Sequence, residues 1–126
     1  MQGLDSTEYA RHLYARRGEA TFPRVARVSL GVWRPQPNEC HVNVDWWCTH
    51  TRGYTPVRGW LYFAYLGLLP HVHFNAHSIV RNPEEELVDI TPSQATERYP
   101  FILALESEQD YFSLVRGQLT RLEHIK

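Results

Sequence analysis

Cysteine is scarce in this chain: only Cys40 and Cys48 are present, and there is no C-x-x-C pair. If both lie on one helix, eight residues separate them by about 12 Å at 1.5 Å per residue. That distance excludes a disulfide between them and argues against a zinc site built on both. An excess of one charge is also lacking, with 13 basic and 14 acidic side chains and no basic stripe. Nucleic acid is therefore not an expected partner. Long hydrophobic runs are missing too: the longest, residues 59–70, is too short to span a bilayer, so no membrane partner is expected. Met1-Gln2-Gly3-Leu4-Asp5 carries neither the cationic start nor the apolar run of a signal peptide. Two cysteines without an export signal point to reduced thiols in the cytoplasm. No repeat or low-complexity segment appears, and 126 residues suit one domain, residues 1–126, with a real core.

What the chain does have is aromatic mass, with four Trp and seven Tyr, enough for a packed core or a lined cleft. It also has a central stretch, residues 71–92, that reads as two strands and a turn. In the first strand Val72, Phe74, Ala76, Ser78 and Val80 fall on one face, and His71, His73, Asn75, His77 and Ile79 on the other. Asn82-Pro83-Glu84 is turn chemistry. Pairing Arg81 with Glu85 sets Ile79 against Leu87 and His77 directly against Asp89, within hydrogen-bonding reach.

Around this stretch the pattern predicts further elements. A helix runs from Asp5 or Ser6 to about Arg17 and ends at Gly18. Thr21 to Arg34 alternates loosely, as a strand or extended arm, before Pro35 and Pro37 break it. Residues 38–48 read as a helix capped by Asn38, with Cys40, Val44, Trp47 and Cys48 on one face. Tyr54 to Leu66 is a long apolar strand and Tyr99 to Leu105 a short one. Ser107 caps a final helix from about Glu108 to Glu123. The expected fold is α+β: N-terminal helices packed on a mostly antiparallel sheet, with a C-terminal helix.

Cys40 falls in the first turn of its helix, where backbone N–H groups and the helix dipole favour a thiolate. With His77 and Asp89 it forms a candidate Cys-His-Asp triad. His77 takes the thiol proton, Asp89 holds the imidazole tautomer, and the Cys40 thiolate attacks an acyl carbon. First-turn N–H groups supply an oxyanion site. Four residues are candidates for substrate binding: Gln36 as an upstream donor, Asn43 one turn along from Cys40, Trp60 as a cleft wall, and Asn75 on the His-bearing strand face.

These residues resemble a family. Papain-like cysteine peptidases, and transglutaminase-like domains especially, place a Cys at a helix N-terminus, a His on a strand and an Asp on the next strand, often in Asp-x-Thr. Here the matching residues are Cys40, His77 and Asp89-Ile90-Thr91-Pro92. Cys40-His41-Val42-Asn43-Val44, Gly59-Trp60, residues 74–80 and 88–92 are also similar to a group of small bacterial proteins. The resemblance covers roughly residues 38–105, with a catalytic core at about 36–105. It implies acyl transfer or hydrolysis of an amide or ester, on a small-molecule or peptide substrate and without a cofactor. The chain departs from the pattern in placing His41 where an aromatic usually follows the nucleophile.

Two other readings compete. A non-catalytic domain of the same fold would use its aromatic cleft for a peptide or small ligand. A metal protein would use His71, His73 and His77, with Asp89 as a further ligand, although ligands 6.6 Å apart along a strand crowd a three-histidine geometry.

Overall fold

The computed structural model describes residues 6–64, 71–93, 98–117 and 121–125. In chain order these form α1 (Ser6–Ala15), a short 3-10 turn (Arg17–Glu19), β1 (Arg24–Val25), α2 (Cys40–His50) and β2 (Thr55–Phe63). There follow β3 (His71–Arg81), β4 (Leu87–Asp89), β5 (Phe101–Leu103), α3 (Glu108–Arg116) and β6 (Arg121–Ile125). The fold is α+β, as expected. The strands form a mixed, mostly antiparallel sheet in the order β1-β4-β3-β2-β5, with β6 also paired to β3. The described helices include none long and apolar enough to cross a membrane.

The chain divides into two compact units. The first comprises Met1–Thr21, Arg58–Ala76 and Tyr99–Lys126. Its core is built from Tyr9 and Leu13 of α1, Trp60 of β2, Val72 and Phe74 of β3, Ile102 of β5, Tyr111 of α3 and Leu122 of β6. Each fully buried side chain of this size contributes roughly 1.5–3 kcal/mol. Gly59 is required here: a Cβ at that position would lie 2.3 Å from the Ile102 carbonyl oxygen and 2.4 Å from the Phe101 ring. The close approach lets β2 and β5 pair with Gly59 opposite Leu103, and the Tyr111 hydroxyl donates to the Gly59 carbonyl at 2.8 Å.

In α3 the Ser107 hydroxyl accepts the Asp110 N–H at 3.2 Å, as the cap reading predicts. The helix stops at Arg116, however, because Gly117 caps it, its N–H bonding back to Ser113 and Val115. Arg121 to Glu123, expected to end the helix, belong instead to strand β6, antiparallel to β3 with Leu122 opposite Phe74. Both of those side chains are buried. The apolar spacing that suggested a longer helix is thus divided between a helix and a strand.

The second unit comprises Phe22–Val57 and His77–Arg98. Its core joins Val44 and Trp47 of α2 to Val80, Val88 and Ile90, with Cys48 packed at its border. Neither cysteine forms a disulfide among the described residues. α2 begins at Cys40 rather than after an Asn38 cap: Asn38 is left-handed (φ 64°), and Glu39 occupies the N-cap without a side-chain bond. Of residues 21–34, expected as a strand or an extended arm, only β1 is a named strand, parallel to β4.

The turn between β3 and β4 also differs. Arg81 pairs with Leu87 and Val80 with Val88, not Arg81 with Glu85. Asn82 causes the shift. Its side-chain carbonyl accepts the N–H groups of Glu84 at 3.0 Å and Glu86 at 2.8 Å, while its own N–H bonds to the Glu86 carbonyl. Glu85 takes a left-handed φ of 67°. The loop is therefore two residues longer than the Arg81–Glu85 pairing requires. A slip of two keeps every side chain on its own face, so Asp89 stays on the face of His77 but sits diagonal to it.

Candidate active site

All three residues of the candidate triad belong to the second unit. Cys40 is the first residue of α2, His77 is on β3 and Asp89 ends β4. His77 Nε2 is 2.8 Å from Asp89 Oδ2, with the two side chains only 12% and 20% exposed. The other Asp89 oxygen accepts the Thr91 N–H at 3.1 Å, so the carboxylate is held at both ends. With Nε2 engaged, Nδ1 is the ring nitrogen left for the thiol, and the Cys40 side chain hydrogen-bonds to His77. It also hydrogen-bonds to His41. His41 in turn sets its Nδ1 2.5 Å from Ser78 Oγ, and Ser78 is fully buried. Two successive residues of α2 thus meet two successive residues of β3.

The electrostatics follow from this arrangement. Burial pushes the Cys40 thiol up, but hydrogen bonds from His41 and His77, together with the charges on those rings, outweigh it and bring the pKa down to about 6. Burial pushes His77 down, while hydrogen bonds to Asp89 and Cys40, reinforced by their charges, raise it to about 9. Between those values the pair rests as thiolate and imidazolium. The first-turn N–H groups of a helix, beginning here with that of Cys40, have no acceptor within the helix.

Of the four candidate substrate-binding residues, two have structural duties. Asn43 is 2% exposed. Its Oδ1 accepts the Gln36 N–H at 3.0 Å, and its Nδ2 donates to the Gln36 carbonyl at 2.8 Å and to Thr91 Oγ1 at 3.1 Å. It is a brace that ties the entry of α2 to the residue orienting Asp89. Trp60 is wholly buried in the core of the first unit, its ring 5.4 Å from Tyr9 and 5.6 Å from Tyr111. It has no surface to present to a substrate, which corrects its reading as a cleft wall. Gln36 is exposed and its side-chain amide donates to the Arg34 carbonyl at 3.2 Å. Asn75, half-buried in the first unit, stands opposite Arg121.

The weighed metal ligands separate in the same way. His73 lies 2.9 Å from Glu123 and His71 3.8 Å from it, in the first unit, whereas His77 is held by Asp89. Among the described residues no group of three or more His, Cys, Asp or Glu is arranged to hold a metal ion. His41 is the side chain beside Cys40 that sequence reasoning did not count among the candidates. Its one signal was that it stands in place of the aromatic usual after the nucleophile.

Comparisons with family models, with curated proteins and with solved structures find no match to this chain.

Proposed function

We propose that the protein is a cysteine enzyme of transglutaminase-like chemistry, acting on an amide or ester by acyl transfer or hydrolysis. One observation carries the reading: the Cys40 sulfur is hydrogen-bonded to an imidazole whose far nitrogen is held 2.8 Å from a carboxylate. The Cys40 thiolate attacks the acyl carbon and forms the C–S bond, while charge gathers on the acyl oxygen beside the α2 N-terminus. His77, as imidazolium, gives its proton to the departing amine or alkoxide, the bond to that group breaks, and a thioester remains. Neutral His77 then takes a proton from water or an acceptor nucleophile. This attacks the thioester, the C–S bond breaks and the Cys40 thiolate returns. Asp89 keeps the Nε2 proton and the ring in place throughout. The cycle needs no cofactor.

The test is the alkylation rate of Cys40 by iodoacetamide against pH, located by mass spectrometry. The native chain is expected to react with a midpoint near pH 6, and His77→Ala to move that midpoint upward. A Cys40 with an ordinary thiol midpoint, indifferent to His77, would remove the enzyme reading and leave a ligand-binding domain of the same fold.

A further inference from the structure

A triad needs one histidine at the sulfur, and this site has two. The second, His41, follows the nucleophile directly and takes no part in the relay to Asp89. It has a support of its own: Nδ1 lies 2.5 Å from Ser78 Oγ, and Ser78 is fully buried on β3. A serine hydroxyl donating to Nδ1 leaves the ring proton on Nε2. That tautomer presents an Nε2–H donor for the neighbouring sulfur.

We propose that His41 is a second catalytic histidine, anchored through Nδ1 on the Ser78 hydroxyl, that holds the Cys40 sulfur as thiolate in the resting enzyme and as leaving group when the acyl-enzyme breaks down. This rests on the cysteine-enzyme reading above and divides the labour between the two rings. His77, backed by a carboxylate, changes protonation during the cycle. His41, backed by a hydroxyl in place of a carboxylate, lends a hydrogen bond. No bond beyond those of the acyl-transfer cycle forms or breaks. The titratable and charged groups around His41 are Cys40 beside it, His77 with Asp89 behind it, and Asp45 one turn further along α2. A better-stabilised thiolate is a weaker nucleophile but a better leaving group, since nucleophilicity falls with thiol pKa by a Brønsted slope of about 0.4–0.5. The gain from His41 is therefore concentrated in the second half of the cycle.

The experiment compares the native chain with His41→Phe, His41→Gln, Ser78→Ala and His77→Ala, each checked for native folding by its unfolding midpoint. Cys40 alkylation by iodoacetamide is followed from pH 5 to 10, and p-nitrophenyl acetate reports the burst and the steady state. His41→Phe should raise the alkylation midpoint by about one unit, so that the rate at pH 5 falls about three- to fourfold, the roughly tenfold smaller thiolate fraction being offset by a roughly threefold gain in nucleophilicity. Glutamine, which keeps a donor, should recover part of the shift, and Ser78→Ala should give a smaller shift of the same sign. With the ester, His41→Phe should keep the burst of nitrophenol and lower the steady-state rate, with acetyl-Cys40 accumulating. If His77→Ala raises the midpoint and neither His41→Phe nor Ser78→Ala moves it, the second-histidine proposal is overturned while the enzyme reading stands. If no variant moves it, both fall. Should His41→Phe fail to fold, the glutamine and Ser78→Ala variants decide the matter alone.

Discussion

The Cys40–His77 pair carries two large pKa shifts, yet it should leave folding stability almost independent of pH across the neutral range. The raised value at His77, about 9 against an ordinary 6.5, contributes stability that is complete below 6.5 and is lost as pH rises through about 9. The lowered value at Cys40, about 6 against an ordinary 9.0, contributes stability that is complete above 9.0 and is lost as pH falls through about 6. The two windows overlap and the slopes oppose. Folded and unfolded chains therefore bind one proton between the two groups from about pH 6.5 to 9, and only the interval from about 6 to 6.5 leaves a difference, under about 1 kcal/mol. The burial-raised phenol of Tyr9, whose ordinary value is 10.0, acts only above this range.

Cys40→Ser should break the balance. The opposing slope disappears, and His77 loses the thiolate but retains Asp89, so its value falls back from about 9 while staying above 6.5. Relative to the native chain, the variant should then lose stability as pH rises from 6.5 to 9. The loss is bounded by the full His77 shift at about 3 kcal/mol. Urea unfolding followed by Trp fluorescence at half-unit steps from pH 5.5 to 9.5 measures both curves. Parallel curves for the two proteins would refute the ion-pair assignment. A flat curve for Cys40→Ser would show that Asp89 does not hold the His77 proton.

Three further outcomes are expected. Asn43→Ala strips partners from the Gln36 backbone and from Thr91, and should cost about 2–3 kcal/mol in urea unfolding; an Asp89 less firmly held should also lower the His77 NMR titration midpoint. Gly59→Ala forces a Cβ to within 2.3 Å of the Ile102 carbonyl oxygen and 2.4 Å of the Phe101 ring, so it should lose at least the roughly 1–3 kcal/mol typical of overpacking, read from the thermal midpoint. Ser107→Ala removes the N-cap of α3 and should cost about 1 kcal/mol, with no change in the pH dependence of Cys40 alkylation.

Periodicity made part of the site legible in advance. Strand alternation put His77 and Asp89 on one face, and helix spacing put Cys40 in the first turn above Val44 and Trp47. Both are local properties of backbone geometry, and they survived a two-residue error in register because an even slip preserves the face. An odd slip would have separated the carboxylate from the imidazole. The Ser107 cap was legible for the same reason, being a bond between residues three apart.

Tertiary structure decided the rest. The hairpin register was set by Asn82 folding its amide over Glu84 and Glu86, which proline and asparagine counting does not resolve. The end of the chain was divided at Gly117, and Arg121–Ile125 became a strand because β3 offers it a partner and Leu122 a buried place; spacing alone fits either element. Trp60 and Asn43, polar or aromatic residues suited to a cleft, are held by the core and by the Gln36 backbone with the distant Thr91 hydroxyl. Simple alternation also sends Ser78 to the face opposite His77, so nothing in the sequence joined Ser78 to His41. That contact exists because the first turn of α2 meets β3 at two successive residues, and the chemistry of two imidazoles at one sulfur depends on it.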